Sequence, residues 1–148
     1  MATEQLGLFK FNRDLQAFAK SLDIDITKVV KKIGFDLFRR IIVKTPWKTG
    51  RARASWTIAV NEPDRTVMPE GNYRVAQSNP EGMASAKGNA ALAKLQPYEP
   101  VWISNNLPYI EALEQGHSQK APEGMVGLAI QETERELDTA IGVTSERI

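Results

Sequence analysis

The chain has 148 residues, 42% hydrophobic and 25% charged, with a net charge of +1 and no cysteine. That length suits one core and is short for two, so a single domain over 1–148 is expected, without disulfides or thiolate metal sites. The near-neutral balance argues against a dedicated nucleic-acid binder, and with neither a signal-peptide pattern nor an apolar run near the roughly 20 residues of a bilayer span, a soluble protein is expected.

Asn12 to Ser21 can form a short helix with Leu15, Phe18, Ala19 and Leu22 on one face. Ile26 to Lys44 carries the clearest signal. Ile26, Val29, Val30, Ile33, Leu37, Phe38, Ile41 and Ile42 recur at helical spacing behind Asp25 as N-cap, and Pro46 ends the run. This helix should be the spine of the core, with Gly34 permitting a close helix contact.

Ala52 to Val60 alternates, with Trp56, Ile58 and Val60 on one parity, as a half-buried strand does; Val101 to Ser104 reads as a second strand able to pair with it. Between them Glu62 to Gly88 holds Pro63, Pro69, Pro80, Gly71, Gly82 and Gly88 and reads as a long loop or arm, with a hairpin around Tyr73 to Gln77. Asn89 to Leu95 can add a short helix. Asn106 as N-cap with Pro108 in the first turn predicts a helix through Gln115, closed by Gly116 in a left-handed conformation, with Tyr109, Ile110 and Leu113 packed on the sheet. Pro122 then opens a final helix through about Ala140. The fold class is α+β: a long N-terminal helix and C-terminal helices on one side of a small antiparallel sheet, with a long loop or hairpin insertion.

Catalytic tools are not evident, and no enzyme is expected. His117 beside Ser118 and after Glu114 lacks the framing of a nucleophile and its base. One histidine without cysteine leaves only carboxylates for a metal, and no calcium-loop, Walker or dinucleotide motif occurs, so no metal and no cofactor are expected. The charges are unevenly placed. Leu37 to Asn61 holds Arg39, Arg40, Lys44, Lys48, Arg51 and Arg53 and no acid, whereas Glu111 to Asp138 is dominated by acids. Within one subunit these could pair; in a ring, the basic part of one could face the acidic part of the next. Basic residues interleaved with Trp47 and Trp56 also raise a nucleic-acid module as a rival reading.

Two turn-punctuated segments dominate the rest: Thr45-Pro-Trp-Lys-Thr-Gly-Arg-Ala-Arg-Ala-Ser-Trp56, and Asn105 to Met125 with its Asn-Asn-Leu-Pro-Tyr, Leu-Glu-Gln-Gly-His-Ser and Ala-Pro-Glu-Gly-Met elements. Proline and glycine at fixed offsets around aromatic and charged residues set the geometry of a surface. In order and spacing these segments resemble the tail-component or neck family of long-tailed bacteriophages, the gene-product-ten-like proteins. The resemblance runs from about Ile26 to Ile141, is poorest over Asn61 to Leu95, and departs at Trp47 and Lys48, where the family pattern has a small apolar residue and often an acid.

The resemblance implies a structural virion protein, made in the host cytoplasm, that forms a ring, expected to be a hexamer, at the head–tail joint. Its partners would be the head-closure or connector protein and the tail terminator or tail tube, with genomic DNA passing through the channel without sequence-specific binding and no membrane contact. A minor tail protein or tail-assembly factor is the alternative. Trp47, Lys48, Arg51, Arg53, His117, Glu132 and Glu136 are the expected assembly contacts; Pro46, Gly50, Asn106, Pro108, Gly116 and Pro122 are the turns and caps that define the fold.

Overall fold

The computed structural model describes residues 13, 14, 17, 25–116 and 118–146, the last seven by backbone alone. The first strong helix, α1 (Ile26–Lys44), has its expected bounds. Asp25 accepts from the Thr27 N–H at 3.0 Å, and Thr45 leaves the helix before Pro46, which excludes a helical conformation at its predecessor. Leu37, Phe38, Ile41 and Ile42 are buried and make α1 the spine of the core. The expected helix over Asn12 to Ser21 lies largely outside the described residues, of which Arg13, Asp14 and Ala17 are helical.

The strand expected from Ala52 is shorter. Gly50, at φ +81°, swings the chain into a single helical turn, α2 (Arg51–Ala54), and β1 covers only Thr57–Val60. Ala54 N–H donates to the Gly50 carbonyl and the Ser55 hydroxyl to the Arg51 carbonyl, closing a turn that small and basic residues accept as readily as a strand. From Trp56 onward the parity is as expected. β2 (Val101–Ser104) pairs antiparallel with β1, Ile58 opposite Ile103 and Val60 opposite Val101, and these four side chains face the helices. The fold is α+β.

The segment read as a loop from Glu62 to Gly88 is irregular to Tyr73 and helical over most of the rest. α3 (Arg74–Ser78) replaces the expected hairpin, and α4 (Pro80–Leu92) packs antiparallel to α1, the Phe35 ring meeting Gly88 and Arg39 facing Glu81 at 3.5 Å. Three of the supposed breakers, Pro80, Gly82 and Gly88, serve this helix, whereas Pro63, Pro69 and Gly71 lie in the irregular stretch before it. Pro80 opens it, where no intrahelical N–H is needed, and the Gly82 N–H donates to the Asn79 side chain at 3.0 Å. At Gly88 a Cβ would lie 2.8 Å from the Phe35 ring. Ala84, Gly88 and Leu92, four residues apart, bury a stripe too small in side chain to read as apolar periodicity. The close helix contact predicted at Gly34 is therefore made at Gly88; a Cβ on Gly34 would only touch Val101 of the sheet at 3.7 Å. The predicted short helix from Asn89 is the last turn of α4.

Only 61–73 remains irregular, and it is a strap across the outer face of the sheet. The Asp64 carbonyl accepts from Ser104 Oγ at 3.1 Å and Asn106 Nδ2 at 2.9 Å; further on, Met68 O accepts from Arg51 Nε at 2.8 Å and Tyr73 N–H donates to Thr49 O at 2.7 Å. The Asp64 carboxylate accepts from the Thr66 hydroxyl and N–H, bonds that hold it below the usual carboxylate range. On the opposite side Lys87 of α4 donates to the Ala54 and Trp56 carbonyls at 2.6 and 2.9 Å, tying α4 to the α2–β1 junction; burial pulls its pKa below that of a free lysine, against the opposing pull of Asp64.

The C-terminal elements depart from expectation at both starts. α5 spans only Ile110–Glu114, and Asn106 does not cap it: its side chain reaches Asp64, while Asn105 Oδ1 accepts from the Leu107 N–H at 3.1 Å. Consecutive asparagines offer two candidates for a turn, and tertiary contact with the strap takes the second. Tyr109 is 40% exposed, not core, whereas Ile110 and Leu113 pack as expected. Gly116 is left-handed at φ +88° as predicted. α6 (Val126–Glu146) starts four residues after Pro122, which lies in the preceding turn.

Candidate functional site

The two turn-punctuated segments interlock. Lys120 Nζ donates to the Trp47 carbonyl at 2.8 Å and stands 4.8 Å from the centre of the Trp47 ring, a cation–π distance; Asn105 Nδ2 donates to the Ala52 carbonyl at 3.0 Å. Trp47 is held from two sides, because the Arg53 guanidinium lies 5.8 Å from the same ring. Yet 43% of Trp47 remains exposed, beside exposed Lys48. A fixed, half-exposed tryptophan on a turn pays little ordering entropy on docking, as a binding anchor should.

Arg53 belongs beneath that surface, not on it. It is 8% exposed and donates to four backbone carbonyls: Thr45 through Nε at 2.8 Å, Val43 through Nη2 at 3.2 Å, and Ala76 and Gln77 through Nη1 at 3.2 and 3.4 Å. These are carbonyls at the C-terminal ends of α1 and α3, which lack intrahelical donors, so one guanidinium caps two helices. Desolvation lowers its pKa from the ordinary arginine value. Trp56 Nε1 donates to Thr45 Oγ1 at 2.8 Å and Thr45 Oγ1 to the Ile41 carbonyl at 2.7 Å, locking the same corner from the core side. Arg51, also an expected assembly contact, is half-buried and donates to the strap at the Met68 carbonyl.

The acidic bets are likewise satisfied within the chain. Lys44 pairs with Glu132 at 2.7 Å; Arg40 pairs with Glu136, lies 3.9 Å from Glu132, and donates to Thr133 Oγ1 at 2.8 Å. Arg40 and Lys44 of the basic stretch thus pair with Glu132 and Glu136 of the acidic one between α1 and α6, while both glutamates keep exposed side chains. The same pairings offset the charge of Arg40 and Lys44 within the stretch on which a nucleic-acid reading of Arg39 to Arg53 draws. His117 lies outside the described residues.

The turns fare better. A Cβ on Gly50 would lie 2.5 Å from the Tyr73 carbonyl, and one on Gly116 2.2 Å from the Pro122 carbonyl, so both glycines are demanded by contact as well as by conformation. Glu114 was not foreseen in its role. Its carboxylate accepts from the Met125 and Val126 N–H groups at 2.8 and 2.7 Å, capping α6 from a different element. The cap comes from twelve residues upstream of Val126, beyond any local capping pattern. Glu114→Gln keeps one acceptor and loses the charge that favours a helix N-terminus, so it should cost about 1–2 kcal/mol in thermal unfolding; unchanged stability would refute the cap.

Among the described residues no helix is long and apolar enough to cross a membrane, and no group of three or more acidic, histidine or cysteine side chains could hold a metal ion. Comparison of the chain with protein-family models, curated proteins and solved structures gave no match.

Proposed function

We propose that this protein is a structural component of a long-tailed phage particle, forming a ring at the neck that joins the DNA-filled head to the tail and lines the DNA passage. The observation that supports it is the interlock of the two segments that carry the family resemblance: Lys120 on the Trp47 turn and Asn105 on α2 unite them into one rigid, partly apolar surface. Preorganised geometry is what a joint needs, since its work is to present binding sites in register. Trp47, Lys48 and Lys120 form the face offered to the neighbouring neck component.

The test is the mass of the purified protein by light scattering at low and physiological salt, with and without duplex DNA. A discrete closed oligomer indifferent to DNA is expected. A monomer that grips duplex DNA with strong salt dependence would overturn the reading in favour of a nucleic-acid module.

A further inference from the structure

In the N-terminal half of α1 an open cleft of about 610 Å³ lies between α1 and the end of α4, lined by the apolar Phe35, Leu92 and Ala93, by Lys28, Lys31 and Lys32, and by Asp36 and Asn89. Lys32 is paired with Asp36 at 3.1 Å, but Lys28 and Lys31 form no ion pair among the described residues. Apolar side chains beside lysines that form no ion pair among the described residues suit a segment that brings an apolar tip flanked by carboxylates.

The strap is such a segment. Glu62, Asp64 and Glu70 against one base, Arg65, leave its 62–70 stretch net acidic, and between them Val67 is 46% exposed with Met68 beside it. Its tip is pinned to Arg51, beyond the C-terminal end of α1 at Lys44, whereas the cleft is centred near Lys32, twelve residues before that end, about 18 Å away at about 1.5 Å per residue. So pinned, Met68 and its neighbour Val67 are held away from the cleft of their own chain.

From this the geometry points to a head-to-tail contact between copies: the 62–70 strap of one subunit seats Val67 and Met68 in the Lys28–Lys31 cleft of the next, with Glu62 and Glu70 against the lysines. The inference rests on the reading that copies of this chain assemble, and it names the surfaces. Contacts of this heterologous kind close into a ring when the rotation per subunit divides a full turn, and otherwise propagate as filaments. A nine-residue strap buries far less than the about 1,600 Å² of a standard interface, so the contact is individually weak and weakens with salt.

Two full-length variants test it: Lys28→Glu/Lys31→Glu, and Glu62→Lys/Glu70→Lys. Each places like charges on strap and cleft, and each should self-associate at least about tenfold less than the parent in sedimentation at low salt. Their equimolar mixture restores opposite charges at every contact and should recover assembly, as should a single chain carrying all four changes. Parent-like assembly of both single variants, or a mixture that fails to recover, overturns this contact while leaving the ring reading intact. A parent chain that stays monomeric up to about 1 mM also overturns it. So does cleft reversal that abolishes duplex DNA binding without altering self-association. If the mixture recovers but mass grows without limit, the contact stands and the closed ring fails.

Discussion

Arg53→Ala should destabilise the protein by about 3–5 kcal/mol, as much as emptying a large buried core position. The residue is no surface cation: its guanidinium is buried and donates to the carbonyls of Val43, Thr45, Ala76 and Gln77. Hydrogen bonds involving a charged donor contribute about 1.5–3 kcal/mol each, and orphaned buried carbonyls add a desolvation penalty, though the terms are not additive. Truncation would also withdraw the cation beneath Trp47 and leave a cavity between the ends of α1 and α3. Arg53→Lys should recover less than half of the loss, because an ammonium on a flexible stem cannot span carbonyls on two helices as the planar fork does. For a chain of this length the alanine variant should melt on the order of 10 °C lower. A change of less than about 1 kcal/mol in urea unfolding would refute the double-capping role.

Gly116→Ala should cost about 2–4 kcal/mol. Two effects act together: alanine at φ +88° takes the left-handed penalty of about 1–2 kcal/mol, and its Cβ would sit 2.2 Å from the Pro122 carbonyl, far inside contact distance. The obstacle is backbone, so relief requires moving the turn that leads into α6, and with it the Glu114 carboxylate from the Met125 and Val126 N–H groups. The loss should therefore exceed that of Glu114→Gln alone. Gly127→Ala is the internal control, since a Cβ there meets nothing within 4 Å and the site is helical; it should be neutral or stabilising by up to about 1 kcal/mol. Equal effects at the two glycines in thermal unfolding would contradict the steric argument.

What could be read from the chain without coordinates was whatever depends on neighbours in sequence. α1 was legible because eight large apolar residues repeat over five turns between a capping aspartate and a proline, and each signal is local. The β1–β2 parity and the left-handed Gly116 were legible for the same reason. α4 was not. Its buried face is Ala84, Gly88 and Leu92, and its Pro80, Gly82 and Gly88 carry the ordinary meaning of loop. Only the arrival of Phe35 gives Gly88 its purpose, whereas the Asn79 cap before Pro80 is a local start signal masked by the prolines and glycines around it.

The assembly bets divide along the same line. Trp47 and Lys48 stay exposed, because a proline-led turn sends side chains outward whatever packs beneath it. Arg51, Arg53, Glu132 and Glu136 were chosen for charge, and charge in a sequence does not say which opposite group or carbonyl will be nearest after folding. Local spacing alone thus determined the spine helix, the strand parity, the key turns and the two surface-shaping segments. The tertiary structure alone decided that the charged stretches neutralise each other between α1 and α6, that Arg53 caps two helices, and that Lys120 clasps Trp47. The α1–α6 ion pairs, the reach of Arg53 to α3 and the Lys120–Trp47 clasp each join residues more than twenty positions apart, where no periodicity or capping rule reaches, and only packing chooses the partner.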